Sequence, residues 1–430
     1  MFGVLTQGNF VHMTHRSNVC LTLALGLFLG GCASLQPSPP GSVDASAAHC
    51  PAPGEWRLLD TPSGVESPGP LTHPPLTRIS QVMTLLEQHT PQVILLGETH
   101  DSAEDHRWQL HVLAALHGRL PGLEIGFEMF RASQQPILDG WLANQLSESA
   151  LLEQTEWTTT WGHRSELYLP LLDLARMHNL PVHGLNVEPA TLERIARDGW
   201  DQVDPGDAEG ITRAAPISTA HREQLLKVLD SHPLPPDVDR EDYAERFIRA
   251  QSVWDRAMAQ RLARAADNAD GPVVGIVGRG HMAFGHGIPH QLHDLGVDAV
   301  WRFLPVRATD DCLSQDPAIA DLVFGIEQGP RKDLTPRLQI GVQVDESPNN
   351  SAPDGNGLTI THVFPGSLAE RAGLQSGDQL IAAAGIRTDR RADLLAVLDL
   401  QPSSLALALT VERDGTRQIV LIGGQASEPN

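Results

Sequence analysis

The chain has 430 residues, 41% of them hydrophobic and 20% charged, enough for two or three folded domains with a sizeable core. Its 53 acidic residues against 31 basic ones leave a formal charge of −22. That excess excludes a protein built to replace counterions on nucleic acid, which needs a basic face, and reads instead as a solvated acidic surface.

Residues 14–32, THRSNVCLTLALGLFLGGC, carry His15 and Arg16 and then an apolar run. The run is shorter than the roughly 20 residues of a membrane span and suits a secretory signal. It ends in Leu29-Gly30-Gly31-Cys32, which resembles the lipobox of bacterial lipoproteins. That resemblance implies a signal peptide at 1–31 and acylation of Cys32. With Ala33 rather than Asp next, it implies an outer-membrane anchor facing the periplasm. Cys50 and Cys312 then remain in an oxidising compartment, where a disulfide between them is left open. Residues 32–75 are rich in Ala, Ser, Pro and Gly and read as a flexible tether, with Trp56–Leu59 as the part able to dock.

From 76 to 305, strand-like and helix-like patterns alternate, which predicts an α/β domain with a mostly parallel sheet flanked by helices. The expected strands are 93–97, 123–128, 181–185, 272–278 and 298–304. Helices are expected at 103–117, capped by Asp101 or Ser102, at 165–178 and at 240–267. In such sheets the ligand crevice opens at the carboxyl ends of the strands. Four of the expected strands end in groups able to ligate, move protons or hydrogen-bond. These are Glu98 and His100, then Glu128, then Asn186 and Glu188, then Arg279 and His281. One such group after a strand is usually a cap; four sets predict a shared polar cleft.

The segments LLGETHDSAEDHRWQL, GFEMFRASQQPILDGWL, WGHRSELYLPLLDLAR, LPVHGLN, FIRAQSVWDRAMA and GRGHMAFGHGIPHQL, in this order, resemble the ChaN-type haem-binding uptake proteins of the Tiki superfamily. The resemblance implies haem as cofactor, a tyrosine as axial ligand, and propionates held by basic or imidazole groups, with room for a second subunit in a homodimer. A phenolate suits ferric iron. The chain has two tyrosines, Tyr168 and Tyr243. Tyr168, beside the tryptophans of 157–161, is the expected ligand, with His163, His281 and His286 as candidates to face propionates. Asp105 departs from the second histidine expected beside His106.

A second reading of the same cleft is a metal-dependent hydrolase. Glu98, His100 and His281 would hold a divalent ion, Glu128 would act as general base and Arg279 would stabilise an oxyanion. No Gly-x-Ser-x-Gly elbow or phosphate-cradling loop accompanies it. A non-enzymatic haem binder is the expectation.

After a connector at 306–336 the pattern changes to short alternating strands. The stretch LTITHVFPGSLAERAGLQSGDQLIAAAG resembles a PDZ domain, expected over 337–424 as a small β-rich unit. The resemblance makes Leu338, Gln339, Ile340 and Gly341 the loop that receives a protein C-terminus, the partner chain adding a strand to the sheet edge.

Overall fold

The computed structural model describes residues 51–59, 76–230, 239–307, 319–327, 338–345, 357–400 and 405–423. The expected signal at 1–31, Cys32, Cys50, Cys312, and most of the tether and connector lie outside them. Among the described residues, no helix is long and apolar enough to cross a membrane.

Seven strands form the first sheet: β1 Trp56–Leu58, β2 Val93–Glu98, β3 Glu124–Arg131, β4 Val182–Asn186, β5 Val273–Gly278, β6 Val300–Arg307 and β7 Leu322–Ile326. Their spatial order is β1-β7-β6-β2-β5-β3-β4. Neighbours run parallel except β1, which is antiparallel to β7. Strand β2 lies between β5 and β6 and is buried along its whole length. Its residues alternate between two cores. Ile94 and Leu96 join the side chains of helices Ala103–His117 and Leu169–His178; Val93 and Leu95 join those of Arg240–Ala266 and Ile288–Asp294. Covering both faces is what an apolar, unalternating strand requires.

Local signals set the helix starts. Ser102 Oγ accepts from Asp105 N–H, and Asp239 accepts from Glu241 and Asp242 N–H at the head of Arg240–Ala266. The helix expected at 165–178 is shorter, Leu169–His178, because Pro170 occupies its first turn and a separate turn, Ser165–Leu167, precedes it.

Two segments join the sheet at its edge, the first the docking stretch Trp56–Leu59 and the second not expected. Within the tether, β1 is part of the fold: Trp56 is 1% exposed and packs on Trp108, Phe303 and Phe324. Within the connector, β7 extends the sheet beside β6, locked by the buried Arg302–Asp321 pair at 2.6 Å. A further difference bears on the site. Strand β3 runs on to Arg131, and its register against β4 slips between Phe127 and Arg131. Glu128 therefore sits at an irregularity, which re-aims a side chain, rather than at a strand end.

The second sheet is antiparallel: β8 Val342–Asp345, β9 Leu358–Val363, β10 Gln379–Ala383, β11 Ile386–Arg387, β12 Leu407–Arg413 and β13 Thr416–Ile422. Its order is β13-β12-β10-β9-β8, with β11 on β10, so β8 is an edge strand. Strands β12 and β13 close through Asp414-Gly415, both at positive φ as a tight hairpin needs. Helix Arg391–Leu400 supplies Leu394, Val397 and Leu398 to this domain's core.

Candidate ligand-binding site

At the carboxyl ends of β2 and β5 and the irregularity in β3, the structure brings Glu98, His100, Glu128 and His281 into one buried cluster. The join is Gly278. A Cβ built there would lie 2.7 Å from His100 Cε1 and 3.5 Å from Glu128 Oε2, so only glycine lets the two approach across β5. Around that point two carboxylate–imidazole sets assemble. Glu98 Oε1 bonds His100 Nδ1 at 2.6 Å. Glu128 accepts from Gly278 N–H at 2.6 Å and its other oxygen lies 3.5 Å from His281 Nε2. The far nitrogen of His281, Nδ1, is bonded at 2.6 Å to Asp255 Oδ1, in the middle of the long helix Arg240–Ala266.

The charges follow from burial and these partners. Burial works against the His100 cation, but Glu98, Glu128 and Asp101 outweigh it and raise its pKa to about 9. In the same way His281 loses to burial and gains more from Glu128 and Asp255, reaching about 8. Burial would raise Glu98, yet His100 above all, then His106 and His163, hold its carboxyl below the usual range. At neutral pH both imidazoles are thus cations locked between carboxylates. Such groups can donate protons; they cannot accept one. The network is also not closed, since Glu98 Oε2 is buried with no hydrogen-bond donor, and its neighbour His106 Nε2 stands 3.9 Å away.

The expected metal set does not form. Among the described residues no group of three or more His, Cys, Asp or Glu is arranged to hold an ion. The physical reason is that Glu98 and His100 face each other, while both nitrogens of His281 are directed at Asp255 and Glu128. Asn186 is likewise occupied: its amide donates to Glu128 O at 2.9 Å and its oxygen accepts from Val187 N–H at 2.8 Å. Arg279 is half-buried just after β5.

Tyr168 is placed differently from expectation. It is 0% exposed, wedged against His106, Trp157 and Trp161 at ring distances of 4.3, 5.3 and 6.0 Å. Its hydroxyl points at His100 O and Glu98 Oε1, at 3.3 and 3.5 Å. Burial and then Glu98 push its pKa well above 10. With no open face in this structure, Tyr168 is placed as a pillar under the site. Tyr243 sits on the first turn of its helix, twelve residues before Asp255, about 18 Å along the axis at 1.5 Å per residue.

What does reach the surface is a rim. Half-buried Trp161 and His163 stand over the edge of His100, with ring centroids at 4.8 Å (His100–Trp161), 4.9 Å (His100–His163) and 5.3 Å (Trp161–His163). On the other side, His286 is half-buried and stacks on buried His221 at 4.8 Å. Asp105 does not face the cluster. It accepts from Thr99 N–H and Ser102 and pairs with Arg307 at 2.8 Å, fixing the turn that delivers His100.

Sequence reading missed Asp255 and His221, and it singled out His106 without giving it a place beside Glu98. None follows a strand, and the signal available for Asp255 was faint: a charged pair, Asp255-Arg256, inside an otherwise apolar helix face.

In the second domain, Leu338 and Ile340 are each 4% exposed and belong to the core, Gln339 is exposed and Gly341 has φ 78°. Ile340 O and Gly341 O accept from Ala369 and Phe364 N–H. The loop is pinned from behind and leads into edge strand β8.

The molecule is thus defined by an α/β domain with a carboxylate–imidazole cluster at its strand ends, and a separate small antiparallel domain. The comparisons give these their families. Residues 85–292 match the family of haem-binding uptake proteins of the Tiki superfamily, ChaN, and residues 332–412 match the PDZ domain. The chain carries a ChaN-type domain followed by a PDZ domain. A solved structure of cofacial haem binding to ChaN of Campylobacter jejuni is 19% identical, covering 59% of this chain and 92% of that one, with a TM-score of 0.46. The HtrA3 PDZ domain bound to a phage-derived ligand is 23% identical over 20% of this chain and 82% of that one, with a TM-score of 0.17. A Ralstonia nicotianae protein whose name describes a zinc metalloprotease, RSc1411, is 37% identical over 78 residues, 18% of this chain; the match spans 17% of that protein's own length.

Proposed function

We propose that this protein binds haem at the strand-end rim of its ChaN-type domain, held by a lipid on Cys32 at the outer membrane, where it serves haem or iron uptake from the periplasm. The observation that carries the reading is the rim itself. Trp161 offers a flat aromatic wall, and His163 beside it is a half-buried imidazole in a domain whose family is described as haem-binding. His163 is the residue suited to the iron, and half-buried Arg279 and His286 are suited to the propionates. Haem, when bound, would supply a ferric centre; the chain's part is to present an imidazole and to exclude water with Trp161. Edge strand β8 and the pinned loop before it suit a partner's C-terminus added as a strand. A homodimer sharing the ligand is part of the proposal.

Titration of the purified chain with hemin tests it. The expected result is a saturable Soret shift that His163→Ala removes; a chain that gives no saturable shift would refute haem binding. Labelled palmitate on the wild type but not on Cys32→Ser tests the anchor, and a hemin-dependent doubling of mass tests the dimer.

A further inference from the structure

The rim residue His163 lies on an irregular stretch, yet its carbonyl is held by a buried bond. The Trp157 indole Nε1–H donates to His163 O at 2.7 Å. Trp157 is 4% exposed, packed between Phe130 at 5.6 Å and Tyr168 at 5.3 Å, and so cannot follow a moving loop. The intervening residues close on themselves, with Trp161 N–H and Gly162 N–H both bonded to Trp157 O at 3.0 Å. Gly162 has φ 77°, which lets the chain reverse between the two rim side chains. The same segment is tied to the sheet from outside, since Arg131 on β3 bridges Glu156 at 3.0 Å and Glu188 at 3.3 Å. That outer tie is solvated and weak, with Glu156 61% exposed on its side chain. The inner one is buried and directional.

From the contact between the Trp157 indole N–H and the His163 carbonyl, we infer that Trp157 is a positioning residue that fixes the His163 imidazole for its ligand. The inference rests on the proposed binding at the rim. Trp157 itself is shielded from any ligand by the fold and acts through His163 alone. A ring without a donor at this position keeps the aromatic packing and the bonds to Trp157 O but releases the His163 carbonyl, so the imidazole samples several poses of which one ligates. A single hydrogen bond of this kind makes the difference of about tenfold in affinity.

The test is hemin titration of the full chain in four forms: wild type, Trp157→Phe, His163→Gly and Trp157→Phe/His163→Gly, the last two with and without added imidazole. The expected outcome is about tenfold weaker binding for Trp157→Phe, with a broadened, mixed-ligation Soret band that a loss of stability alone would not produce. His163→Gly should regain the wild-type band with added imidazole, and Trp157→Phe/His163→Gly should regain it equally, since the free imidazole no longer needs the loop. Absence of saturable binding in the wild type removes the haem reading. Wild-type binding with an unchanged constant and band in Trp157→Phe, or imidazole rescue of Trp157→Phe/His163→Gly that falls short of that of His163→Gly, overturns the positioning role while leaving that reading intact.

Discussion

Asp255→Asn isolates the one strong interaction of the cluster that comes from outside the sheet. Asp255 holds His281 Nδ1 at 2.6 Å, and the side chains of both are at most 5% exposed. With Glu128, it lifts His281 from its ordinary 6.5 to about 8 against the pull of burial. A folded-state pKa above the unfolded one stabilises fully below pH 6.5, and the gain is lost as pH rises through 8. A rise of that size corresponds to about 2 kcal/mol at 1.36 kcal/mol per unit. Removing the anion also leaves an imidazolium buried with one partner fewer, so the total cost at pH 6 is expected at about 3 kcal/mol. At pH 9.5 His281 is neutral in both proteins and an asparagine can still meet its ring nitrogen, so the cost should shrink to about 1 kcal/mol. His100 titrates near pH 9 in the wild type and repels the His281 cation, so its imidazole is followed in both proteins. Urea denaturation of the two proteins at pH 6, 7.5 and 9.5 reads this directly. An Asn variant destabilised equally at pH 6 and 9.5 would show that His281 is not held as a cation, and the account of the cluster would fail.

Three further outcomes follow from the packing. Tyr168→Phe should leave the hemin titration unchanged and cost no more than about 1 kcal/mol, because its hydroxyl bonds are long; loss of binding would restore the phenol as ligand. Gly278→Ala forces a methyl to 2.7 Å from His100 Cε1, so it should destabilise by about 2–3 kcal/mol and remove the His100 titration near pH 9, followed by imidazole NMR; Gly280→Ala, with open space around its Cβ, is the control. Trp56→Ala should cost about 3–5 kcal/mol by thermal or urea unfolding, since the ring is fully buried, whereas a mere tether would tolerate it.

The fold was legible wherever one residue's environment is set by its near neighbours. The run Val93–Leu96 read as a strand covered on both faces, and Ser102 as the start of the helix that follows it. Edge strands β1 and β7 were not legible: three and five residues carry too little period, and what makes them strands is a neighbour far away in the chain.

The site divides along the same line. Its strand-end residues could be read because a parallel sheet delivers the carboxyl ends of its strands to one rim whatever the side chains are. Sequence therefore supplied the fold class, the two domain types and the meeting of Glu98, His100, Glu128 and His281. It could not say which way each group turns, because burial and hydrogen bonding are properties of the assembled core. Only the tertiary structure turned Tyr168 inward, brought Asp255 from mid-helix onto His281, and left His163 and Trp161 at the surface. A side chain's chemistry is written in the chain, but whether water, a carboxylate or a ligand meets it is decided by what packs around it.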